Sequence, residues 1–364
     1  MISTRRHFLS SLMVGAGTGM GLISRGASAH TIPKTILDST TRLSGQAFGT
    51  RWQVTLPDAT RLAPVAAEIR RTVNLINKTL SPWNPDSDIS RFNCADEHHW
   101  VSVSPICSHV IQHALDVASA SDGAFDPTIG PLVHRYGFGP IAGQAQSDYQ
   151  AVDVRLGGLC KKQAELTLDP CGIAKGYALD LMGEALLELG IEQHLIEIGG
   201  ELRASSTHPS GRSWVTGIEV PQGDTSEPFL RLTSLAGKSL ATSGVRYNSY
   251  NVSQRRYSHI MDPGKGQPVF GPLLSVSVIA HSAMHADAWS TALMAAGQSE
   301  GLLLAKQLEL DALFISDTVN NGPAETATHD GIPLPDGRGG YPLSSLHSVA
   351  TGNFEHHVLS SDTL

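Results

Sequence analysis

The sequence predicts an α+β fold in which mostly antiparallel strands pack with helices. Short runs of alternating apolar and polar residues recur along the chain and are separated by Gly- and Pro-containing turns, which is typical of antiparallel strands. Other stretches place apolar residues three or four positions apart, which is typical of amphipathic helices. The glycine-bearing turn around Gly172 matches neither G-x-G-x-x-G nor G-x-x-x-x-G-K-[ST], so a Rossmann or P-loop fold is not supported.

The N-terminus has the pattern of an export signal. Arg5 and Arg6 precede a weakly apolar, Gly-rich stretch, and the sequence ASA at residues 27–29 offers a small-residue cleavage site. The apolar stretch is short and interrupted by glycines, which disfavours a membrane anchor. We therefore expect a twin-arginine (Tat) signal over residues 1–29, a flexible leader over residues 30–42, and export to the periplasm of a protein that is not membrane-embedded.

The composition restricts the domain organisation and the class of partner. The net charge of −8 and the lack of a basic run argue against nucleic-acid binding. The four cysteines form no CxxC, which argues against a thiolate zinc site and leaves disulfides and buried thiols both open. We predict one large domain over residues 43–317, followed by a peripheral segment over residues 318–364 that is rich in Gly, Pro, Ser and His.

The first elements of this domain are a strand and two helices. Alternating apolar residues predict a strand over residues 47–56. An amphipathic pattern predicts a helix from Pro64 to Leu80 and another over residues 104–121. Between the two helices, residues 80–93 contain two prolines, acidic residues and a tryptophan, and we expect a loop there.

The middle of the chain has a strand-turn-helix pattern. An apolar run ends at Asp169, the chain turns at Gly172, and a helix over residues 177–189 follows Lys175. A strand over residues 195–198 comes next. Such a turn can present backbone N–H groups and a helix N-terminus to a phosphate, or its glycines can serve the turn alone, and this segment by itself leaves both readings open. The remaining predicted elements are two short strands within residues 152–168, strands over 214–220, 229–235, 273–280 and 311–316, and helices over 285–297 and 299–308.

Asp287 and Thr291 lie four residues apart on a predicted helix, so their side chains share a face, and Ser290 is one turn from Asp287. A carboxylate and hydroxyls are hard oxygen ligands of the kind that Mg²⁺ accepts. The alternative is that Asp287 makes a helix-start contact and that Thr291 bonds back to its own helix.

Two further sets of polar residues are candidates for chemistry. His259 follows a predicted strand, where an imidazole could act as a general base near neutral pH. Asp126, Asp169 and Lys175 lie in glycine-bearing turns, where they could bond a heterocyclic ring and a phosphate. Each aspartate could instead satisfy the backbone of its own turn.

Taken together, these segments resemble the ApbE-type flavin transferases, the FAD:protein FMN transferases. The similarity extends in order over roughly residues 43–316 and is carried by eight blocks: FGT (48–50), SPWNPDSDISRFN (81–93), GAFDPTIGPL (123–132), LDPCGIAKGYALD (168–180), IEIGGELRA (196–204), ATSG (241–244), HIMDPGKGQPV (259–269) and SVSVIAHSAMHADAWSTALMAAG (275–297).

The resemblance implies a T-fold-like core and a Mg²⁺-dependent reaction on FAD. It implies that Mg²⁺ binds Asp287, Ser290, Thr291 and a backbone carbonyl at Gly172, and that His259 takes the proton of an attacking hydroxyl. The residues that it implies for FAD binding are Phe48, Trp83, Ala124, Phe125, Asp126, Asp169, Lys175 and Ile260. Many members of the family have Met at the position of Phe48, a change that should keep the ring contact but alter its shape.

The resemblance also implies a partner: an acceptor flavoprotein whose Thr or Ser receives FMN through a phosphoester while AMP is released. The Tat signal, without a site for a lipid anchor, is similar to the periplasmic NosX type, which would make the flavoprotein NosR the acceptor. Two other functions stay open at this point. One is a periplasmic FAD-binding carrier without turnover, and the other is a Mg²⁺-dependent FAD pyrophosphatase that gives FMN and AMP.

Overall fold

An eight-stranded antiparallel sheet forms the centre of the computed structural model, which describes residues 40–145, 147–221, 229–252, 255–317 and 346–359. All of these lie in one compact unit, Ser39–Leu364. From edge to edge the strands are β1 (Thr40–Ala47), β2 (Thr50–Pro57), β6 (Leu195–Ile198), β7 (Glu201–Ala204), β10 (Ser239–Gly244), β15 (Leu273–Ala280), β16 (Asp311–Asp317) and β17 (Leu346–Thr351).

Smaller sheets and helices surround this central sheet. The other strands are β3 (Val101–Ser102), β4 (Val152–Arg155), β5 (Gly158–Lys161), β8 (Trp214–Glu219), β9 (Phe229–Leu235), β11 (Ser249–Val252), β12 (Arg255–Ser258), β13 (Met261–Asp262) and β14 (Gln267–Pro268). The helices are α1 (Leu62–Thr79), α2 (Asp88–Asn93), α3 (Pro105–Ala120), α4 (Gly130–Arg135), α5 (Ala174–Glu188) and α6 (Ala283–Gln307). No helix in the described ranges is long and apolar enough to span a membrane.

Both faces of the central sheet are buried. Alternate residues of β15 and β16, such as Val276 and Phe314, belong to the larger core, which α1, α5 and α6 cover. Ile279 and Ile315 point to the opposite face of the sheet, where they belong to a second core with Trp214 of β8. This arrangement follows from the period of two along a strand, which sends successive apolar side chains to opposite faces. The predicted α+β class with mostly antiparallel sheets is therefore confirmed.

Most of the predicted helices and strands are present. The helix begun by Pro64 is α1, the helix over 104–121 is α3 with Ser104 as its N-cap, and the strand over 273–280 is β15. The two predicted C-terminal helices lie one after the other in α6 and are separated by a kink at Gly297, whose φ of 79° and ψ of −178° are not helical. The loop over 80–93 contains the short helix α2, which the proline-rich pattern did not indicate.

Two predictions about strands need correction. The strand predicted over 47–56 is β2, but it begins only at Thr50, because the chain reverses at Phe48 and Gly49, which both have positive φ angles (54° and 73°). The apolar run before Asp169 forms no strand, because side chains bind its backbone: Asn93 donates to Leu168 O and accepts from Leu168 N at 3.0 and 2.7 Å. The residues before the Gly172 turn thus form no strand, and hydrogen bonds from the Asn93 side chain hold them instead.

The ends of the domain differ from the predicted boundaries. Strand β1 begins at Thr40, within the residues assigned to the leader. In the segment expected to be peripheral, β17 pairs with β16 and Phe354 is fully buried. An apolar side chain completes the second core there, although the composition of the segment is polar. The predicted signal over residues 1–29 lies outside the described residues.

Candidate active site

At the junction of α5 and α6, a carboxylate of each helix accepts backbone N–H groups at the start of the other helix. This junction positions the candidate site. Asp287, in the second turn of α6, accepts the backbone N–H of Gly176 at 2.9 Å in the first turn of α5. Gly176 permits the close approach, since a Cβ there would lie 2.3 Å from the carbonyl oxygen of Ala283 and 2.8 Å from Cβ of Asp287. The Asp287 side chain therefore has one orientation imposed by the neighbouring helix.

Asp180 of α5 makes the reciprocal contact. Its carboxylate accepts the backbone N–H groups of Ala283 and Met284, both at 2.9 Å, and the hydroxyl of Ser282 at 2.7 Å. Arg203 of β7 pairs with the same carboxylate. A negative charge at a helix N-terminus satisfies unpaired N–H groups and interacts favourably with the helix dipole. Asp180 thus fixes the start of the helix that carries Asp287.

Lys175 joins the junction to β7. Its ammonium lies 2.9 Å from Oε1 of Glu201 and 3.5 Å from Oδ1 of Asp287. Burial lowers the pKa of Lys175, but the carboxylates of Asp287 and Glu201 outweigh it and leave this pKa raised, so the lysine is charged at neutral pH. Burial raises the pKa of Glu201 to about 7 against the opposing charge of Lys175. The Oε2 atom of Glu201 is buried without a hydrogen-bond partner.

Three hydroxyls lie beside Asp287. The Ser243 hydroxyl of β10 lies 2.9 Å from the Ser290 hydroxyl and 3.2 Å from that of Thr291. Ser290 is fully buried and also donates to the carbonyl oxygen of Asp287 at 3.0 Å. Both contacts of Ser290 are internal, so it holds Ser243 in place, while Thr291 is only half-buried. Asp287 does make a helix-start contact, as the structural alternative proposed, but to α5, and the Thr291 hydroxyl contacts Ser243 of β10.

The Gly172 turn lies against Thr291 and Phe125. A Cβ at Gly172 would come within 3.1 Å of the Phe125 ring and 3.4 Å of the Thr291 hydroxyl. Phe125 itself is buried, and its backbone N–H is held by the Ser121 hydroxyl at 3.1 Å. The structure therefore brings four predicted site elements together: the Gly172 turn, the Phe125 loop, Lys175 and the polar face of α6.

Asp126 and Asp169 lie on adjacent turns. The backbone N–H of Asp169 donates to Pro127 O at 2.7 Å, which joins the two segments. Asp126 accepts from both the N–H and the hydroxyl of Thr128, and Asp169 accepts from the N–H of Cys171. Burial raises the pKa of both carboxyl groups. Each aspartate does stabilise its own turn, as the structural alternative proposed.

His259 lies at the end of β12 with a half-buried side chain. Its Nδ1 atom is buried without a hydrogen-bond partner, and its ring meets Phe138 edge-on at 6.2 Å between centroids. Burial, and then the positive charge of Lys175, lower the pKa of His259 to about 4. The imidazole is therefore neutral at neutral pH and available to accept a proton.

The other residues predicted for FAD binding lie on loops and turns. Phe48 is in the β1–β2 hairpin turn and partly packs on the core. Trp83, in the loop after α1, is 61% exposed. Ala124 is half-buried beside Phe125, and Ile260 is buried directly after His259. Among the described residues, no hydrogen bond, salt bridge or ring contact joins Phe48 or Trp83 to the junction of α5 and α6.

Sequence reasoning missed Glu201, Ser243 and Asp180 as individual residues. Glu201 follows the Gly199–Gly200 turn and Ser243 lies in the ATSG block, so both were inside recognised blocks without an assigned role. Their partners are far away in the chain, and the signal that identifies them is the contact itself. Within the described residues, no group of three or more His, Cys, Asp or Glu side chains could hold a metal ion.

The fold and the site define an α+β protein in which a half-buried lysine, two carboxylates and hydroxyls lie around one turn. The model of the ApbE family matches residues 48–314, and the chain belongs to this family. Relatives named FAD:protein FMN transferase come from Vibrio cholerae (32% identical, covering 76% of this chain and 87% of the relative) and Escherichia coli K12 (31%, covering 78% and 86%). The flavin transferase ApbE from Vibrio cholerae superposes with a TM-score of 0.72 at 28% identity, covering 87% of this chain and 99% of that structure.

Proposed function

We propose that this protein transfers FMN from FAD to a Thr or Ser hydroxyl of an acceptor flavoprotein and releases AMP, with Mg²⁺ as cofactor. The enzyme class rests on family membership and on the relatives named above. The observation that supports the chemistry is the junction at which Lys175, Asp287 and the Thr291 hydroxyl meet the Gly172 turn. That junction would offer one cation to a pyrophosphate and several oxygen ligands to Mg²⁺.

The donor set around Asp287 fits Mg²⁺. All of its members are hard oxygens: the Asp287 carboxylate, the Thr291 and Ser243 hydroxyls, and the backbone carbonyl of the Gly172 turn. Ser290 supports this set from the buried side. Bound Mg²⁺ would withdraw charge from the pyrophosphate and stabilise the AMP leaving group. Lys175 would bind the same pyrophosphate, because its charge is held in place by Glu201.

His259 would accept the proton. The acceptor hydroxyl oxygen forms a bond to the phosphorus of the FMN half, the bond from this phosphorus to the AMP oxygen breaks, and the hydroxyl proton moves to the neutral imidazole. A pKa of about 4 makes free His259 a weak base. A pyrophosphate beside Lys175 would offset the positive charge that helps to lower this pKa, so the histidine would become more basic when the substrate binds.

FAD would be held by the surrounding loops. Asp126 and Asp169, with Phe125 and Ala124 directly before Asp126, would contact the nucleotide, and Phe48, Trp83 and Ile260 would supply apolar contact. Trp83 is the most exposed of these, and such a ring can cover a bound heterocycle.

The decisive experiment supplies FAD, Mg²⁺ and the flavin-accepting domain of NosR, and follows the acceptor by mass spectrometry. The proposal expects one FMN added per acceptor, one AMP released, and no reaction when EDTA replaces Mg²⁺. An FAD carrier would bind FAD and release no AMP. An FAD pyrophosphatase would release AMP and free FMN without an adduct. An acceptor other than NosR would be labelled while NosR is not, so a lysate containing other flavoproteins serves as the second arm.

We also propose export to the periplasm by the Tat pathway, because Arg5 and Arg6 precede the weakly apolar stretch and the small-residue site. A fusion of residues 1–29 to a folded reporter should be exported. Replacing both arginines by lysine should retain the reporter in the cytoplasm, whereas unchanged export would contradict a Tat signal.

A further inference from the structure

A row of aromatic rings lies next to His259 and has no role in the reaction as described. This aromatic platform consists of Tyr136, Phe138, Tyr250 and Tyr257. Tyr250 stacks on Tyr257 at 5.4 Å between centroids and on Phe138 at 5.3 Å, and Tyr136 stacks on Tyr257 at 6.2 Å. Phe138 also meets the His259 ring, so the platform is continuous with the proposed base.

Two rings of the platform, Tyr250 and Tyr257, belong to the β11–β12 hairpin. Within the described residues, β11 and β12 pair only with each other, and each therefore leaves its outer backbone N–H and C=O groups without a strand partner. Tyr250 and Val252 lie on the same face of β11 and are 39% and 52% exposed. An exposed edge with alternate apolar side chains is the feature to which extended peptides add as a further strand.

The charge around the platform is positive, although the whole chain carries −8. Residues 134–140 and 246–259 contain four arginines and no acidic residue, and one of the four, Arg246, pairs with Glu219 at 2.9 Å. Arg135 is exposed and Arg256 half-buried, and neither forms a salt bridge with any described carboxylate. A cleft beside the platform is lined by Leu132 and Arg135 of α4 and by Pro263 and Gly266 of the turn after β13. Long-range attraction therefore favours an acidic ligand at this surface.

We propose that the aromatic platform and the free edge of the β11–β12 hairpin bind the acceptor polypeptide as an extended, acidic segment and deliver its Thr or Ser to His259. This inference rests on the proposed function and adds how the acceptor is recognised. Tyrosine and arginine are enriched in the energetically dominant part of protein interfaces. A flavin ring could also stack on the tyrosines, but it would use neither a strand edge nor unpaired arginines.

The test uses a carrier protein that displays a randomised segment around a central Thr, with FAD and Mg²⁺. Flavin fluorescence selects labelled carriers, and sequencing reads their segments. The variants are Arg135→Glu combined with Arg256→Glu, Tyr250→Ala, and Asn251→Pro, which removes one outward N–H of β11 because Asn251 and Arg256 form a non-hydrogen-bonded pair of the hairpin. Arg70→Glu on α1 and Leu156→Ala in the β4–β5 turn are the matched controls, since both side chains are exposed and distant in sequence from the platform.

The wild type should enrich Asp and Glu near the Thr, and the arginine variant should lose this preference. With a selected acceptor, Tyr250→Ala and Asn251→Pro should each raise the KM for acceptor roughly tenfold while the KM for FAD stays unchanged. The controls should match the wild type. Labelling without acidic preference, or preference unaffected by the variants, would overturn the inference. A raised KM for FAD in Tyr250→Ala would assign the platform to the flavin instead. No labelling by the wild type would be a failure of the proposed function, and the inference would fall with it.

Discussion

The two aspartates at the helix junction differ from Glu201 and His259 in whether their buried polar atoms have hydrogen-bond partners. Both carboxylate oxygens of Asp180 and of Asp287 have partners: backbone N–H groups, a hydroxyl, Arg203 or Lys175. By contrast, Glu201 and His259 each keep one buried polar atom without a partner. A buried polar atom without a partner costs free energy, so such an arrangement persists where another interaction requires it.

This difference separates positioning from reactivity. The satisfied carboxylates make the junction rigid and hold the oxygen ligands of α6 near the Gly172 turn. His259 keeps its Nδ1 atom free of hydrogen bonds. Glu201 pairs with Lys175 through Oε1, while its Oε2 atom has no partner. Substitutions at the junction should therefore affect ligand binding and stability together, whereas substitution of His259 should affect the chemical step alone.

Replacing Asp287, the carboxylate proposed to bind Mg²⁺, should have the largest effect on activity. Asp287→Ala removes the single carboxylate of the oxygen set and one partner of Lys175, so transfer of FMN should fall by more than about 1,000-fold, corresponding to several kcal/mol of lost charge stabilisation. The measurement is AMP release at saturating FAD and Mg²⁺. Asp116→Ala on the exposed side of α3 should behave as the wild type. Full activity of Asp287→Ala would contradict the site assignment.

Replacing the base should have the next largest effect and leave binding intact. His259→Ala should lower kcat by about 100-fold or more, because proton transfer by a positioned base contributes this much. Binding of FAD, followed by its fluorescence, should change little, since His259 contributes no charge at neutral pH. A variant that lost FAD affinity in proportion to activity would instead identify His259 as a binding residue.

The acidic limb of the pH profile sharpens the same assignment. The pKa of His259 is lowered to about 4, so the neutral base should persist in the free enzyme well below pH 6.5, and kcat/KM should fall about tenfold per pH unit only below about pH 4. The unfolded chain takes up the proton first, near pH 6.5, so this group's contribution to stability is present above that pH and is lost as the pH falls towards 4. A limb at pH 6.5 in kcat/KM would show an exposed, unperturbed histidine.

Loosening the junction should have a moderate effect on activity and a measurable one on stability. Asp180→Asn keeps the size of the side chain but removes the charge that pairs with Arg203 and the N-terminus of α6, so the affinity for Mg²⁺ should weaken by about 10- to 100-fold, as is typical when the support of a metal ligand is removed. Mg²⁺ is titrated without FAD or acceptor, and its binding is measured from the change in the thermal unfolding temperature. This measurement separates weaker Mg²⁺ binding from a direct loss of catalysis. The comparison variant Ser282→Ala keeps the charge of Asp180 but removes the hydroxyl that donates to Asp180 and caps α6 by accepting the N–H of His285. Unchanged Mg²⁺ affinity with lowered stability would limit Asp180 to a structural role.

The fold class and the residues of the site could be inferred from sequence to different extents. Period and turn residues identified α1, α3 and β15, because their apolar patterns are long and their ends are marked by Ser104, Pro64 or glycines. The hairpin at Phe48 was missed because only Gly49 of its two turn residues is a recognisable signal. The clamp of Asn93 on Leu168 was missed because its partners are 75 residues apart. The contacts between the starts of α5 and α6 also join residues far apart in the chain, so the local sequence pattern does not predict them.

The contribution of Trp83 provides the smallest expected effect. Its ring is 61% exposed, but its loop is ordered by the Ser87 hydroxyl, which donates to Ser81 O at 2.7 Å and accepts the N–H of Ser90 at 3.0 Å. An exposed ring on an ordered loop can cover a bound heterocycle without paying to order itself, so Trp83→Ala should raise the KM for FAD about fivefold, near 1 kcal/mol, and leave kcat unchanged. Trp100→Ala is the matched control, since Trp100 is also exposed but packs under Arg155. An equal rise in both variants would show a general effect of losing a surface ring, whereas a rise in Trp83→Ala alone would place this loop against the substrate.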